Sequence, residues 1–213
     1  MRLKHPLLFL LCCLICISAV AQEPVNTYAS LFQQNKYLKD WASKFPHFQL
    51  SDFRYAQTDK MESYQDANDL QPDKHFEDLY GKLISYTADK KKYLDFYSYQ
   101  ISLERVTVKG KKVIQAGVDV HQVLLLGDYR KKTLSRIMQV GPDQFLEEAV
   151  WLSDSTFLLV GTNSMQPSYT PFMYVGDLKK QQYHLYLPKN KSLQRPGVYK
   201  SLRWQLLGTV IWL

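Results

Sequence analysis

The sequence predicts a mainly β protein of the α+β kind: an antiparallel meander of two four-stranded units, forming an open sheet or sandwich, with two helices before it. Three observations carry this reading. From Ile84 to the C-terminus, short runs rich in β-branched and aromatic residues are separated by turn residues. Before Ile84, apolar residues recur instead at helical spacing. Finally, two stretches of the β region resemble each other closely enough to align without gaps.

The first 21 residues are of another kind. Arg2, Lys4 and His5 form a basic start, Leu7 to Val20 is an apolar run, and Ala19-Val20-Ala21 before Gln22 is the small-x-small pattern of a signal cleavage site. A cut between Ala21 and Gln22 is expected. The apolar run is too short to span a bilayer comfortably, so no transmembrane segment is expected in the mature chain. Cys12, Cys13 and Cys16 all lie before the cut, and the residues preceding them, Leu11, Cys12 and Ile15, do not suit lipidation. The mature chain is then cysteine-free, which excludes thiol nucleophiles, zinc ribbons and iron–sulfur clusters and favours a bacterial periplasmic or secreted protein over an animal one.

Residues 22–213 are read as one β-rich domain, helical over 22–83 and antiparallel β over 84–213. Leu31, Leu38, Trp41, Ala42 and Phe45 predict an amphipathic helix over 28–45, capped by Thr27 and ended by Pro46. Residues 57–72 are polar and without period, and read as a loop. Asp73 then caps a short helix that buries Phe76, Leu79, Tyr80 and Leu83. Strands are expected at about 84–86, 93–108, 113–127, 133–140, 145–152, 156–162, 171–177 and 182–187, with one or two more within 198–213. The turns between them fall at 88–92, 109–112, 128–132, 153–155 and 178–181. Gly208 to Leu213 reads as a terminal strand, and Trp204 and Trp212 as packing residues.

The internal likeness is between Leu126-Gly127-Asp128-Tyr129-Arg130-Lys131-Lys132-Thr133-Leu134 and Val175-Gly176-Asp177-Leu178-Lys179-Lys180-Gln181-Gln182-Tyr183. Each is a strand, a Gly-Asp, a cationic turn and a returning strand. A second hairpin precedes each copy, over 85–94 and 151–158, so the unit is a four-stranded antiparallel sheet used twice. The second unit, especially residues 149–161, resembles a β-propeller blade, and the chain as a whole resembles exported bacterial β-rich proteins of unassigned function. Two blades do not close a propeller, which needs about four to eight, and the resemblance assigns no functional residue.

Few residues offer chemistry. Alternation through 93–103 puts Tyr93, Asp95, Tyr97, Tyr99, Ile101 and Leu103 on one face. Asp95 would then be desolvated, either as a general acid or, the preferred reading, as a carboxylate satisfied by a tyrosine hydroxyl or a backbone amide. Glu147 and Glu148 are consecutive in a strand, so they are expected on opposite faces and in solvent. His47, His75, His121 and His184 share no metal-binding spacing, and Asp119 with His121 on one face does not define a site. No metal, cofactor or phosphate-cradling loop is expected.

The turns hold the more specific pattern. In a meander the first and third turns share an end, which predicts a cationic rim of Lys90, Lys91, Lys92, Arg130, Lys131 and Lys132, joined by Lys179 and Lys180. Such a rim suits an anionic envelope glycan, a lipid headgroup or a protein; lysine at hairpin tips also simply discourages edge pairing. The formal charge is +7, of which the signal holds two cations, and no dense basic stripe points to nucleic acid. Residues 163–170 read as a polar loop at the opposite end, beyond the 109–112 turn. The expected activity is non-enzymatic binding or scaffolding; the alternative is a small glycan hydrolase using Asp95 and a second carboxylate.

Overall fold

The computed structural model describes residues 25–61, 64–65, 74–119, 121–165, 167–190 and 192–213. The expected signal with its cut at Ala21 and Gln22, the cysteines and the capping Asp73 lie outside the described residues. In chain order the elements are a 3-10 turn Val25–Tyr28, α1 Ala29–Gln34, α2 Lys36–Ser43, a 3-10 turn Leu50–Asp52, β1 Phe53–Lys60, β2 Tyr64–Gln65 and α3 Lys74–Tyr80. Then follow β3 Ser85–Tyr86, β4 Lys92–Asp95, β5 Ile101–Val108, β6 Lys111–Val118, β7 Gln122–Asp128 and β8 Thr133–Val140. The remainder is β9 Gln144–Trp151, β10 Thr156–Met165, β11 Ser168–Asp177, β12 Gln182–Pro188, β13 Arg195–Pro196, a 3-10 helix Leu202–Leu207 and β14 Val210–Trp212.

The protein is mostly β, in open, largely antiparallel sheets. One sheet has the order β2-β8-β7-β4-β3, a second β1-β12-β11-β10-β9 with β13 on β11, and a third β14-β6-β5. The four strands β3-β4-β7-β8 and the four strands β9-β10-β11-β12 are the two predicted units, and each is a sequential antiparallel ladder. The predicted turns fall between the strands at 88–91, 109–110, 129–132, 152–155 and 178–181.

Several expected elements are corrected. The helix over 28–45 breaks at Asn35, whose extended backbone ends α1 and whose side chain caps α2 by accepting from Tyr37 N at 3.0 Å and Leu38 N at 3.2 Å. Thr27 makes no cap; the residue before α1 is Tyr28, with no side-chain cap bond. The polar stretch 57–72 is not all loop: β1 runs to Lys60 and β2 occupies 64–65. β1 shows no alternation because it is an edge strand, exposed over most of its length and held by its ladder to β12.

The long strands expected at 93–108 and 113–127 are each two, β4 with β5 and β6 with β7. The β5–β6 hairpin leaves the first unit and forms its own sheet with β14, which lies parallel to β6, so the terminal strand is not part of an antiparallel meander. The row from Tyr93 to Leu103 is therefore not one face: Asp95 ends β4 and Ile101 starts β5. The loop expected at 163–170 is a hairpin, with Asn163, Ser164 and Met165 paired to Thr170, Tyr169 and Ser168.

Alternation decides how the second sheet is covered. Phe157 and Leu159 of β10 pack into the core shared with the first unit, with Leu94, Leu124, Ile137 and Phe172, whereas Leu158 and Val160 face Leu38, Trp41, Phe45 and Phe53 of the N-terminal part. β10 is thus buried on both faces, and the amphipathic face of α2 closes the outer one. Full burial of one such side chain is worth roughly 1.5–3 kcal/mol.

The repeat extends to single residues. Tyr93 pairs across the ladder with Gly127 and Phe157 with Gly176. A Cβ on Gly127 would lie 1.9 Å from the Tyr93 ring, and one on Gly176 2.2 Å from the Phe157 ring, so both positions exclude a side chain. Tyr86 and Trp151 flank these aromatics on the neighbouring strand, with ring centroids 6.0 and 5.6 Å away. In both copies the Asp after the glycine closes the turn: Asp128 Oδ1 accepts from Arg130 N at 3.0 Å and Lys131 N at 3.1 Å, and Asp177 Oδ1 from Lys179 N at 2.9 Å and Lys180 N at 3.1 Å. Lys132 and Gln181, which align, both stand in the left-handed region with φ of 55° and 53°.

Candidate functional site

The turns of both units lie together. Tyr129 N donates to Lys91 O at 2.9 Å, and Arg130 Nη2 stands 3.8 Å from Asp89 Oδ2, so the 88–91 and 129–132 turns are neighbours. In the second unit Leu178 N donates to Ser155 O at 2.8 Å. The two units meet where Lys92 Nζ donates to Asp154 O at 2.8 Å. All eight predicted cations are thereby carried on one cluster of turns, with Lys90, Arg130, Lys131, Lys132, Lys179 and Lys180 exposed and Lys91 and Lys92 half-buried.

Four aspartates, Asp89, Asp128, Asp154 and Asp177, share this cluster, and Glu77 reaches it by accepting from Tyr129 OH at 3.0 Å. Lys91 Nζ sits 2.8 Å from Asp89, and Lys180 Nζ 4.0 Å from Asp177. Hydrogen bonds from Lys91 and Thr87 hold the Asp89 carboxyl well below the usual range, keeping it charged. Eight cations against five carboxylates leave the rim with a net positive field; backbone bonds fix each pair of turns, and the Lys92 side chain joins the two units.

Asp95 is 1% exposed. Its Oδ1 accepts from Tyr97 N and Ser98 N, each at 2.9 Å, and the Ser98 hydroxyl donates to Oδ2. Burial pushes the carboxyl up, and these three donors oppose the shift. The carboxylate ends β4 and shapes the bend that sends the chain into the β5–β6 hairpin.

Glu147 and Glu148 are not in solvent: they are 6% and 0% exposed. The β9–β10 register slips by one between Val160 and Gly161, leaving Glu147 without a cross-strand partner. This bulge suspends strict alternation, and both carboxylates reach groups brought by α2 and by residues 195–203. Glu147 accepts from Trp41 Nε1 at 2.7 Å, from Thr162 Oγ1 at 2.9 Å and from the Arg195 guanidinium. Glu148 accepts from Arg203 Nε at 2.8 Å, from Tyr199 OH at 3.3 Å and from the Ser201 hydroxyl. Desolvation pushes both carboxyls up while the arginines pull them down; the buried guanidiniums at hydrogen-bond distance keep the pairs ionised.

The arginines are held in turn. Arg203 donates to Ile84 O at 3.1 Å and Ala149 O at 3.2 Å and lies 4.1 Å over the Tyr37 ring. Arg195 donates to Gly197 O at 2.6 Å and is ringed by Phe45, Tyr169 and Tyr199 at 5.2–5.7 Å. Every carboxylate oxygen of the pair is committed, so the network clamps α2 and residues 195–203 onto β9. Sequence reasoning missed it because Arg195 and Arg203 lie in a stretch with no periodicity; the two adjacent acids beside Trp151 were the one visible signal.

A second feature is a groove of about 470 Å³ between β8 of the first unit and β1, β11 and β12 of the second. Its lining includes Asp59, Lys60, Arg136, Met138, Gln139, Gln144 and Tyr174. Tyr183 joins the walls by donating from its hydroxyl to Ile137 O at 2.7 Å. None of these residues stood out in the sequence, since β1 has no period and the groove exists only where the units meet. The histidines lie apart: His47 is in the turn after α2, His121 is exposed before β7, and His184 on β12 pairs with Thr58 Oγ1 at 2.8 Å. Burial pushes the His184 imidazole down, with the Lys180 charge adding to it. The side chain of His75 lies outside the described ones. Among the described residues no helix is long and apolar enough to cross a membrane. Comparison with protein-family models, with curated proteins and with solved structures finds no match for the chain.

Proposed function

We propose that this is an exported envelope protein whose work is non-enzymatic: it binds or scaffolds an anionic partner through the rim of Lys90, Lys91, Lys92, Arg130, Lys131, Lys132, Lys179 and Lys180. The observation that carries the reading is the convergence of both units' turns on one cluster, tied by the Arg130–Asp89 approach and the Lys92–Asp154 bond. A rim built on rigid hairpins presents charge at fixed spacing, which favours a repeating polyanion or a charged surface. Asp95, Glu147 and Glu148 are engaged by their own neighbours, which supports a structural role for each.

The test is cosedimentation of the protein with vesicles of mixed phosphatidylglycerol and phosphatidylcholine, and in parallel with an immobilised acidic polysaccharide, across a salt series. A variant combining Lys90→Glu, Lys131→Glu and Lys179→Glu changes only exposed side chains. At about 1 kcal/mol per basic residue near an anionic surface, losing three cations and gaining three carboxylates should weaken binding by at least about a hundredfold, with a shallower salt dependence. Equal binding by the wild type and the variant would overturn the reading.

A further inference from the structure

The groove between the two units has a composition unlike the rim, and it does not depend on the rim's role. Asp59 is oriented by Gln57, whose Nε2 lies 3.0 Å from each carboxylate oxygen. Gln144 is oriented by donating to Asn163 Oδ1 at 2.9 Å. Tyr174 is half-buried, its ring held edge-on by Phe172 at 5.4 Å and by Tyr183 at 6.0 Å. Gln139 is exposed on the facing wall. One carboxylate, two amides, the Tyr174 ring and the cations Lys60 and Arg136 thus line a space of about 470 Å³.

We propose that this groove binds a saccharide of one or two rings. Planar carboxylate and amide groups each offer paired sites that match vicinal hydroxyls, the amides both donating and accepting. An aromatic ring covers the apolar C–H face of a sugar while leaving its hydroxyls to the polar groups. The volume lies within the usual range for small-molecule sites, about 300–1,000 Å³. An acyl chain fits less well, since it would bury Asp59 and Gln144 against hydrocarbon. Asp59 comes from β1 and Tyr174 from β11, either side of β12 in the second sheet, and Gln139 from β8 of the first, so the site requires the two sheets to be docked.

The probes are glucose, N-acetylglucosamine, glucuronate and a β-linked disaccharide of glucose, each titrated into isotopically labelled protein. The side-chain amide resonances of Gln139 and Gln144 are the readout. At least one probe should move both with saturation at roughly millimolar concentration. Asp59→Asn and Gln139→Ala should each weaken that binding about tenfold; Gln139 is exposed, so its variant keeps the fold even where the other loses stability. The proposal is overturned if no probe moves these resonances at tens of times that concentration, or if shifts are confined to the lysine turns. Because the rim variant Lys90→Glu, Lys131→Glu, Lys179→Glu leaves the groove intact, it should bind the sugar as the wild type does.

Discussion

In the first unit the Tyr93–Gly127 pair is reached only after the chain has left the sheet for the β5–β6 hairpin and returned, and its aromatic neighbours Phe76, Tyr86 and Tyr129 are half-buried. In the second the four strands follow without interruption, and Phe157 is sealed at 0% exposure beneath Trp151 and Tyr183. The same aromatic-over-glycine device is buried in both copies, with Tyr93 at 1% exposure, and the copies differ in how the chain reaches it and in what covers the sheet. Chain order explains part of the difference. The other part is the cover: helices lie on the outer face of the second sheet, clamped by charges that the first unit lacks. Three residues before Trp151 stands Glu148, and three before Tyr86 stands Leu83.

The clamp is where breaking the asymmetry should cost most. Glu148→Leu leaves Arg203 buried without its carboxylate and should destabilise by about 3–5 kcal/mol, measured by chemical denaturation. Adding Arg203→Met should return much of that loss, since an apolar pair of similar volume replaces a buried ion pair at little cost. A double mutant as unstable as the single would mean that the Ile84 and Ala149 carbonyls, and not Glu148, are what Arg203 serves.

Next come the two glycines. Gly127→Ala and Gly176→Ala should each cost roughly 1–3 kcal/mol by overpacking, with Gly127 at least as costly, because its Cβ would lie closer to a ring that is equally buried. Thermal melts of the two variants make the comparison directly, and a loss confined to Gly176→Ala would show that the Tyr93 ring has room to move. Smaller effects are expected at the turns. Asp128→Ala and Asp177→Ala each remove an acceptor of two backbone amides, about 1 kcal/mol apiece. Asp128 is the more buried and should lose more.

The smallest effect concerns pH. Asp95 belongs to the first unit and has its carboxyl raised by burial. A raised carboxyl binds its proton more tightly folded than unfolded, so it opposes folding once the pH exceeds the usual Asp range and does so fully above its folded value. Asp95→Asn keeps an oxygen for Tyr97 N and Ser98 N without the charge. The variant should equal or exceed the wild type in stability at neutral pH, and the difference should vanish as the pH falls below the ordinary carboxylate range. A wild type that gains on the variant as pH rises would show that the three donors outweigh desolvation.

What could be read from the sequence follows from what is local. Turn positions were legible because Asp, Lys and Gly declare themselves within a few residues, and the repeat because it preserves Gly-Asp and its aromatic partner. β1 was not, because an exposed edge strand needs no apolar alternation. The facing of Glu147 and Glu148 was not either, since a one-residue slip opposite Gly161 changes which side the acids take, and the arginines that receive them lie 48 and 55 positions further on. The cationic cluster was legible turn by turn, whereas the groove is a property of how two sheets meet.

The clamp on β9 also bears on the order in which the chain can fold. Tyr199 reaches back to Asp40 across 159 positions, and Trp41 reaches Glu147 across 106. Until residues 195–203 have emerged, Glu147 and Glu148 have no guanidinium to meet, and α2 has no finished surface to lie on. Contacts of such span make folding slow and keep it from completing piecemeal. The α2 segment is thus among the last to settle, and a chain cut before Arg195, which removes residues 195–213, should lose the docking of α2 as well.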